Sequence, residues 1–130
     1  MAFEFRKLDV WKQSMEFVRD VYKITKRFPN DEKFALVDQL RRAAISIPSN
    51  ISEGSSRKSS RDFSHFLNIS IGSLNEVVTQ LGIAQMLEYI NEKEFQQLEM
   101  KASRIHMMLL KLRSSINNRH KQTKRPIPGK

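Results

Sequence analysis

The sequence predicts an all-α domain, an antiparallel up-down-up-down four-helix bundle. Three observations carry that expectation. Apolar residues recur at spacings of three and four in four separate stretches, turn and cap residues divide them, and no stretch alternates convincingly as a strand would. Helices of roughly 22 to 30 residues joined by short turns must lie antiparallel to their neighbours. The 130 residues read as one bundle domain over 1–118 and a basic flexible C-terminal tail over 119–130.

The first helix is expected from about Phe5 to Arg27, with Leu8, Trp11, Met15, Val18 and Tyr22 as its apolar stripe. Phe28-Pro29 ends it, because proline disfavours a helical residue before it. Asn30 then reads as the N-cap of the second helix, and Asp31 and Glu32 suit the positive end of its dipole. That helix continues to about Glu53, where Gly54 can serve as the left-handed C-terminal residue. Pro48 inside it leaves two readings, since an interior proline costs about 3 kcal/mol. The helix either breaks near Ile47 or kinks and resumes through Glu53. The unbroken phase of polar residues on both sides of Pro48 favours the kink.

Ser55-Ser56-Arg57-Lys58 forms the next turn, and Ser59 caps the third helix with Asp62 three residues on. Phe63, Phe66, Leu67, Ile71, Leu74, Val78, Leu81 and Met86 carry that helix to about Glu88. A glycine in mid-helix costs roughly 1 kcal/mol against alanine, so Gly72 is expected to mark the close approach of another helix. Asn91 with Glu94 repeats the cap signature for the fourth helix. Its seam is the cleanest of the four: Phe95, Leu98, Ala102, Ile105, Leu109, Leu112 and Ile116. After Asn118 the apolar period stops.

Composition removes several function classes. There is no cysteine, which excludes disulfides and thiolate chemistry and fits a cytoplasmic location. The N-terminus is charged where a signal peptide needs an apolar run, and no stretch approaches the roughly 18 apolar residues of a membrane span. A di-iron bundle needs Glu-x-x-His twice, yet the nearest match is one Asp62-x-x-His65, and His106 and His120 have no partner at ligand spacing. The serines cluster where turns and caps use them, and four glycines form no phosphate loop. No catalytic residue, metal or cofactor is expected, and the chain reads as a non-enzyme.

The most informative segment runs from Gln39 to Gly54. On a helix, Gln39, Arg42, Ser46, Asn50 and Glu53 fall within an arc of roughly 80°, beside an apolar arc of Leu36, Leu40, Ala43, Ala44, Ile47 and Ile51. If the second and third helices fold back about the 55–58 turn, Arg42 lies opposite Ser73 and Gln39 faces Glu76. Arg42 is then expected to pair with Glu76 or Glu53, an arrangement that tolerates burial. The competing reading gives Arg41 and Arg42 to phosphate, with Arg41 on the outer side.

The net charge of +9 is uneven: residues 99–130 hold nine Lys/Arg against one Asp/Glu. Such a field attracts a polyanion. The candidate nucleic-acid-binding residues are Arg41, the group Arg57, Lys58 and Arg61, the outer side of the fourth helix with Arg104, Lys111 and Arg119, and Lys121, Lys124 and Arg125 beyond it. With little aromatic interleaving, they suit phosphate contact and not base stacking. Met100, Met107 and Leu110 lie off the fourth seam and Ile45 off the second, leaving apolar surface for self-association.

These residues also resemble a family. Leu8-x-x-Trp11, Phe28-Pro29-x-x-Glu32, Gln39-Leu40-x-Arg42-Ala43, Ser46-Ile47-Pro48-x-Asn50-Ile51-x-Glu53-Gly54 and Gly72-Ser73-x-x-Glu76 are similar to motifs of bacterial four-helix-bundle proteins. Those proteins are encoded in intervening sequences of 23S ribosomal RNA genes and are related to accessory proteins of diversity-generating retroelements. The resemblance covers about residues 5 to 118. It implies a bundle often assembled into a pentameric ring, RNA or DNA as a partner, and, through the retroelement relatives, a reverse transcriptase as the alternative partner of a protein-interaction scaffold. It implies structural roles for the motif positions Gln39, Arg42, Ser46, Asn50, Glu53 and Glu76.

Overall fold

The computed structural model describes residues 3–124, with side chains described over 3–118. Four helices, α1 (Asp9–Thr25), α2 (Leu36–Ser55), α3 (Ser60–Met86) and α4 (Glu92–Lys124), follow one another, and no strand occurs among the described residues. Short 3-10 turns at Glu4–Lys7 and Asn30–Glu32 precede α1 and α2. Each helix packs on the two beside it, α1 on α2, α2 on α3, α3 on α4 and α4 on α1. In two of these pairs, α2–α3 and α1–α4, the contacting numbers run in opposite directions. Ser46 meets Ser73 while Gln39 meets Gln80, and Asp20 meets Lys101 while Arg27 meets Glu94. Those two pairs are antiparallel, and one apolar core from Val10 to Ile116 joins the four helices.

Local signals place several helix ends. Ser59 Oγ accepts the Asp62 N–H at 3.1 Å, so α3 begins where its cap residue stands. Asn91 and Glu94 form a reciprocal capping box, the Glu94 N–H donating to Asn91 Oδ1 at 2.8 Å and the Asn91 N–H to Glu94 Oε1 at 3.0 Å. The α3 C-terminus closes as a Schellman motif, in which the Tyr89 N–H reaches Ala84 O and the Glu88 N–H reaches Gln85 O. Glu88 takes the left-handed position there, at φ 64°, where glycine is the usual occupant.

α2 is unbroken through Pro48, which lies buried inside it. The ring removes one helix bond, but the neighbouring turn is reinforced from the side. Asn50 Nδ2 donates to Ser46 O at 2.8 Å, and the buried Ser70 hydroxyl donates across from α3 to Ile47 O at 2.9 Å. One of these bonds is local to α2 and the other comes from α3.

Other expectations fail for identifiable reasons. Asn30 does not cap α2: residues Asn30–Glu32 turn as 3-10, and the helix starts six residues later at Leu36. Tyr89 donates to Glu32 Oε2 at 2.8 Å and its ring lies 5.3 Å from that of Phe28, so tertiary contacts hold this segment outside the helix. The face α1 buries is Val10, Ser14, Phe17, Val21 and Thr25, one position round from the predicted stripe, and Met15 is 46 % exposed. Two of its members are hydroxyls, which enter the core because they bond back to Val10 O and Val21 O one turn earlier. Met86, placed on the α3 seam, is 72 % exposed. The helix of α4 continues past Asn118 to Lys124, since the first residue that cannot be helical comes at Pro126.

Neither glycine takes its expected role. Gly54 lies inside α2 without a left-handed φ, and a Cβ there would sit 2.7 Å from Phe66 Cβ and 2.9 Å from Phe63 Cδ1. It is Gly54 that admits a neighbouring helix. Gly72, exposed in mid-α3, has open space where its Cβ would be.

Candidate nucleic-acid interface

The polar edge of α2 meets α3 one helical turn out of the predicted register. Facing residue numbers are displaced by four from that expectation at Ser46 and at Gln39. Ser46 therefore faces Ser73, their hydroxyls 2.8 Å apart, and Asn50 Nδ2 adds a bond to Ser46 Oγ at 2.9 Å. Gln39 faces Gln80, whose amide lies 3.4 Å from Gln39 Oε1 and 3.5 Å from Glu76 Oε1. The inner members of this lock, Ser70 and Gln80, are buried polar residues with no place in an apolar pattern. Gln80 Oε1 is buried without a hydrogen-bond partner.

The same register settles the two arginines, and in the reverse of the expected order. Arg42 does not pair with Glu53 or Glu76; its side chain is 80 % exposed and its Nε bonds Asp38 at 3.0 Å on its own helix. Arg41 is the one turned inward. Its Nε donates to Thr25 Oγ1 at 3.0 Å, and its guanidinium lies 4.4 Å above the Tyr22 ring, fastening α2 to α1. Glu53 pairs with Arg57 at 2.5 Å, four residues on in the turn that follows α2, and Glu76 is exposed.

The remaining candidates gather by the topology. The 55–61 turn and the C-terminal half of α4 share one end of the bundle, where Arg113 Nη1 donates to Asn68 Oδ1 at 2.8 Å and Arg61 and Asn117 line one cleft. Lys58 and Arg61 are exposed there and enter no ion pair among the described residues, while Arg57 is tied to Glu53 and stacked 4.9 Å over Phe66. Arg104 and Lys111 are exposed two turns apart on α4, and Arg104 lines a groove of 620 Å³ between α1 and α4. The side chains of Arg119, Lys121 and Lys124, and all of Arg125, lie outside the described residues.

The opposite end of the bundle has a different electrostatic character. Arg27 forms a bidentate pair with Glu94 at 2.5 and 2.9 Å, and Glu32, Glu88 and Glu92 stand near it. The Arg27 hydrogen bonds, aided by the Asn91 N–H, hold the Glu94 carboxyl at about 2, well below the usual carboxylate range. The Arg27 guanidinium here is matched by a carboxylate. Among the described residues no group of three or more His, Asp or Glu could hold a metal ion, and no helix is long and apolar enough to cross a membrane.

A family model described as 23S rRNA-intervening sequence protein matches residues 6–111. Among solved structures, a protein of unknown function from the S23 ribosomal protein family of Bacteroides thetaiotaomicron superposes with a TM-score of 0.74 at 28 % identity. The match covers 80 % of this chain and 97 % of that one. No curated protein matches the chain.

Proposed function

This chain belongs to the 23S rRNA-intervening sequence protein family, and from that premise we propose that it is a non-enzymatic, cytoplasmic protein that binds structured RNA as a homo-oligomer. The observation that supports the reading is the convergence of the 55–61 turn and the cation-rich end of α4 at one pole of the bundle. Lys58 and Arg61 stand there without carboxylate partners among the described residues, so phosphates can neutralise them at little desolvation cost. Exposed Met100, Met107 and Ile45 supply apolar surface for contacts between copies; the family resemblance favours a pentamer.

The test is binding of a structured RNA at two salt concentrations. Neutralising about four phosphates weakens binding on the order of a hundredfold between about 50 and 200 mM salt. Lys58→Glu with Arg61→Glu is expected to remove about half of that slope, whereas Lys33→Glu at the other end leaves it in place. An affinity indifferent to salt would overturn the reading. A second reading, a scaffold whose partner is a reverse transcriptase, draws on the apolar cleft of 310 Å³ formed by Phe5, Trp11, Met15, Val18, Ile45 and Pro48. A partner seated there would bind with little salt dependence.

A further inference from the structure

Five side chains, Arg61, Ser64, His65 and Asn68 of α3 and Asn117 of α4, line a cleft of 350 Å³ at the basic pole. The spacing of the four on α3 puts them on one helical face. Every one of the five carries an N–H or O–H donor, and no carboxylate lines the cleft. That sets it apart from its neighbours. The α1–α4 groove mixes Asp20 and Glu94 with its cations, the cleft at the α3–α4 loop holds Glu88, Glu92 and Glu94, and the one midway along α3 and α4 holds Glu99. Asn68 is also oriented. Its Oδ1 accepts from Arg113 Nη1 at 2.8 Å, which leaves its NH₂ for another acceptor and sets a second guanidinium behind it.

We propose that this cleft binds a phosphate group of the nucleic-acid backbone, an assignment that rests on the RNA-binding reading above. A phosphodiester offers acceptor oxygens in a tetrahedron and one negative charge. Arg61 supplies the compensating charge and a planar fork, while Ser64, His65, Asn68 and Asn117 supply donors around it. Lys58, one turn before Arg61 and outside the cleft, is placed for an adjoining phosphate.

The experiment is NMR titration of the full-length protein, first with inorganic phosphate and then with an RNA hairpin. It uses the wild type, Arg61→Gln and Asn68→Asp, with Asn75→Asp, on the same helix and outside this cleft, as the charge control. Asn68→Asp keeps an acceptor for Arg113, so a melting curve near that of the wild type is expected. Phosphate should shift the side-chain amide signals of Asn68 and Asn117, and both cleft variants should lose that response and weaken RNA binding by about tenfold or more. Asn75→Asp should do neither. RNA held by the cleft variants as tightly as by the wild type would overturn the cleft and leave the RNA reading standing. Phosphate shifts in the cleft without RNA binding would uphold its phosphate chemistry and overturn the RNA reading. Silence to both ligands would overturn both.

Discussion

The α2–α3 and α1–α4 interfaces are built from similar amphipathic helices and are closed by opposite chemistry. Between α2 and α3 the contacts are neutral: the Ser46–Ser73 hydroxyl pair, Ser70 on Ile47 O, and Gly54 letting α3 approach until a Cβ has no room. Between α1 and α4 the closest polar contacts are ion pairs at the rim, Arg27–Glu94 and Lys101–Asp20, over a groove of 620 Å³. A neutral, close-packed seam gains its energy from dispersion and short hydrogen bonds, which ignore salt and acid. A charged rim depends on both. The difference shows where the bundle is rigid and where its stability can be tuned.

The largest effect should come from filling the close approach. Gly54→Ala places a methyl against Phe66 Cβ, an anchored atom, and is expected to destabilise the fold by about 1–3 kcal/mol. Gly72→Ala, with open space around it, should instead stabilise by up to ~1 kcal/mol through helix propensity. Denaturant midpoints of the two variants moving in the same direction would contradict the close approach at Gly54 and the open space at Gly72. Next, Ser70→Ala should cost about 1 kcal/mol, and the loss should be the same at low and high salt because the bond is neutral. A loss that shrinks with salt would mean that charge contributes to this seam after all.

The smallest effect belongs to the rim. Arg27 is about half exposed, so Arg27→Met should cost only ~0.2–1 kcal/mol at neutral pH. Its pH dependence identifies it. The folded-state value of Glu94, about 2, lies below its ordinary 4.5, so the pair's contribution is complete above that ordinary value and is lost as pH falls towards 2. The stability gap between wild type and Arg27→Met should close over that window. Urea titrations showing the same gap near pH 2 as at pH 7 would remove the ion pair from the account.

Much of the site was legible, though not its arrangement. Lys58 and Arg61 were visible as a charged turn, because cations flanking a cap signature need no tertiary knowledge. The union of Arg61 with Asn68 and Asn117 was not visible, because those amides are ordinary helix-surface residues until α3 and α4 align them. Arg41 and Arg42 exchanged places for a related cause. Adjacent residues differ by about 100° on a helix, and only the contact of α2 with Thr25 and Tyr22 decides which of the two turns inward.

Four helices, the caps at Ser59 and Asn91 and the α4 seam followed from sequence alone, since each arises from interactions within a few residues of chain. The register of α2 on α3 and the burial of Ser14, Thr25, Ser70 and Gln80 were decided only in the folded bundle. Those features depend on partners distant in sequence, and a buried hydroxyl or amide becomes tolerable only when a carbonyl or another polar group is brought within reach.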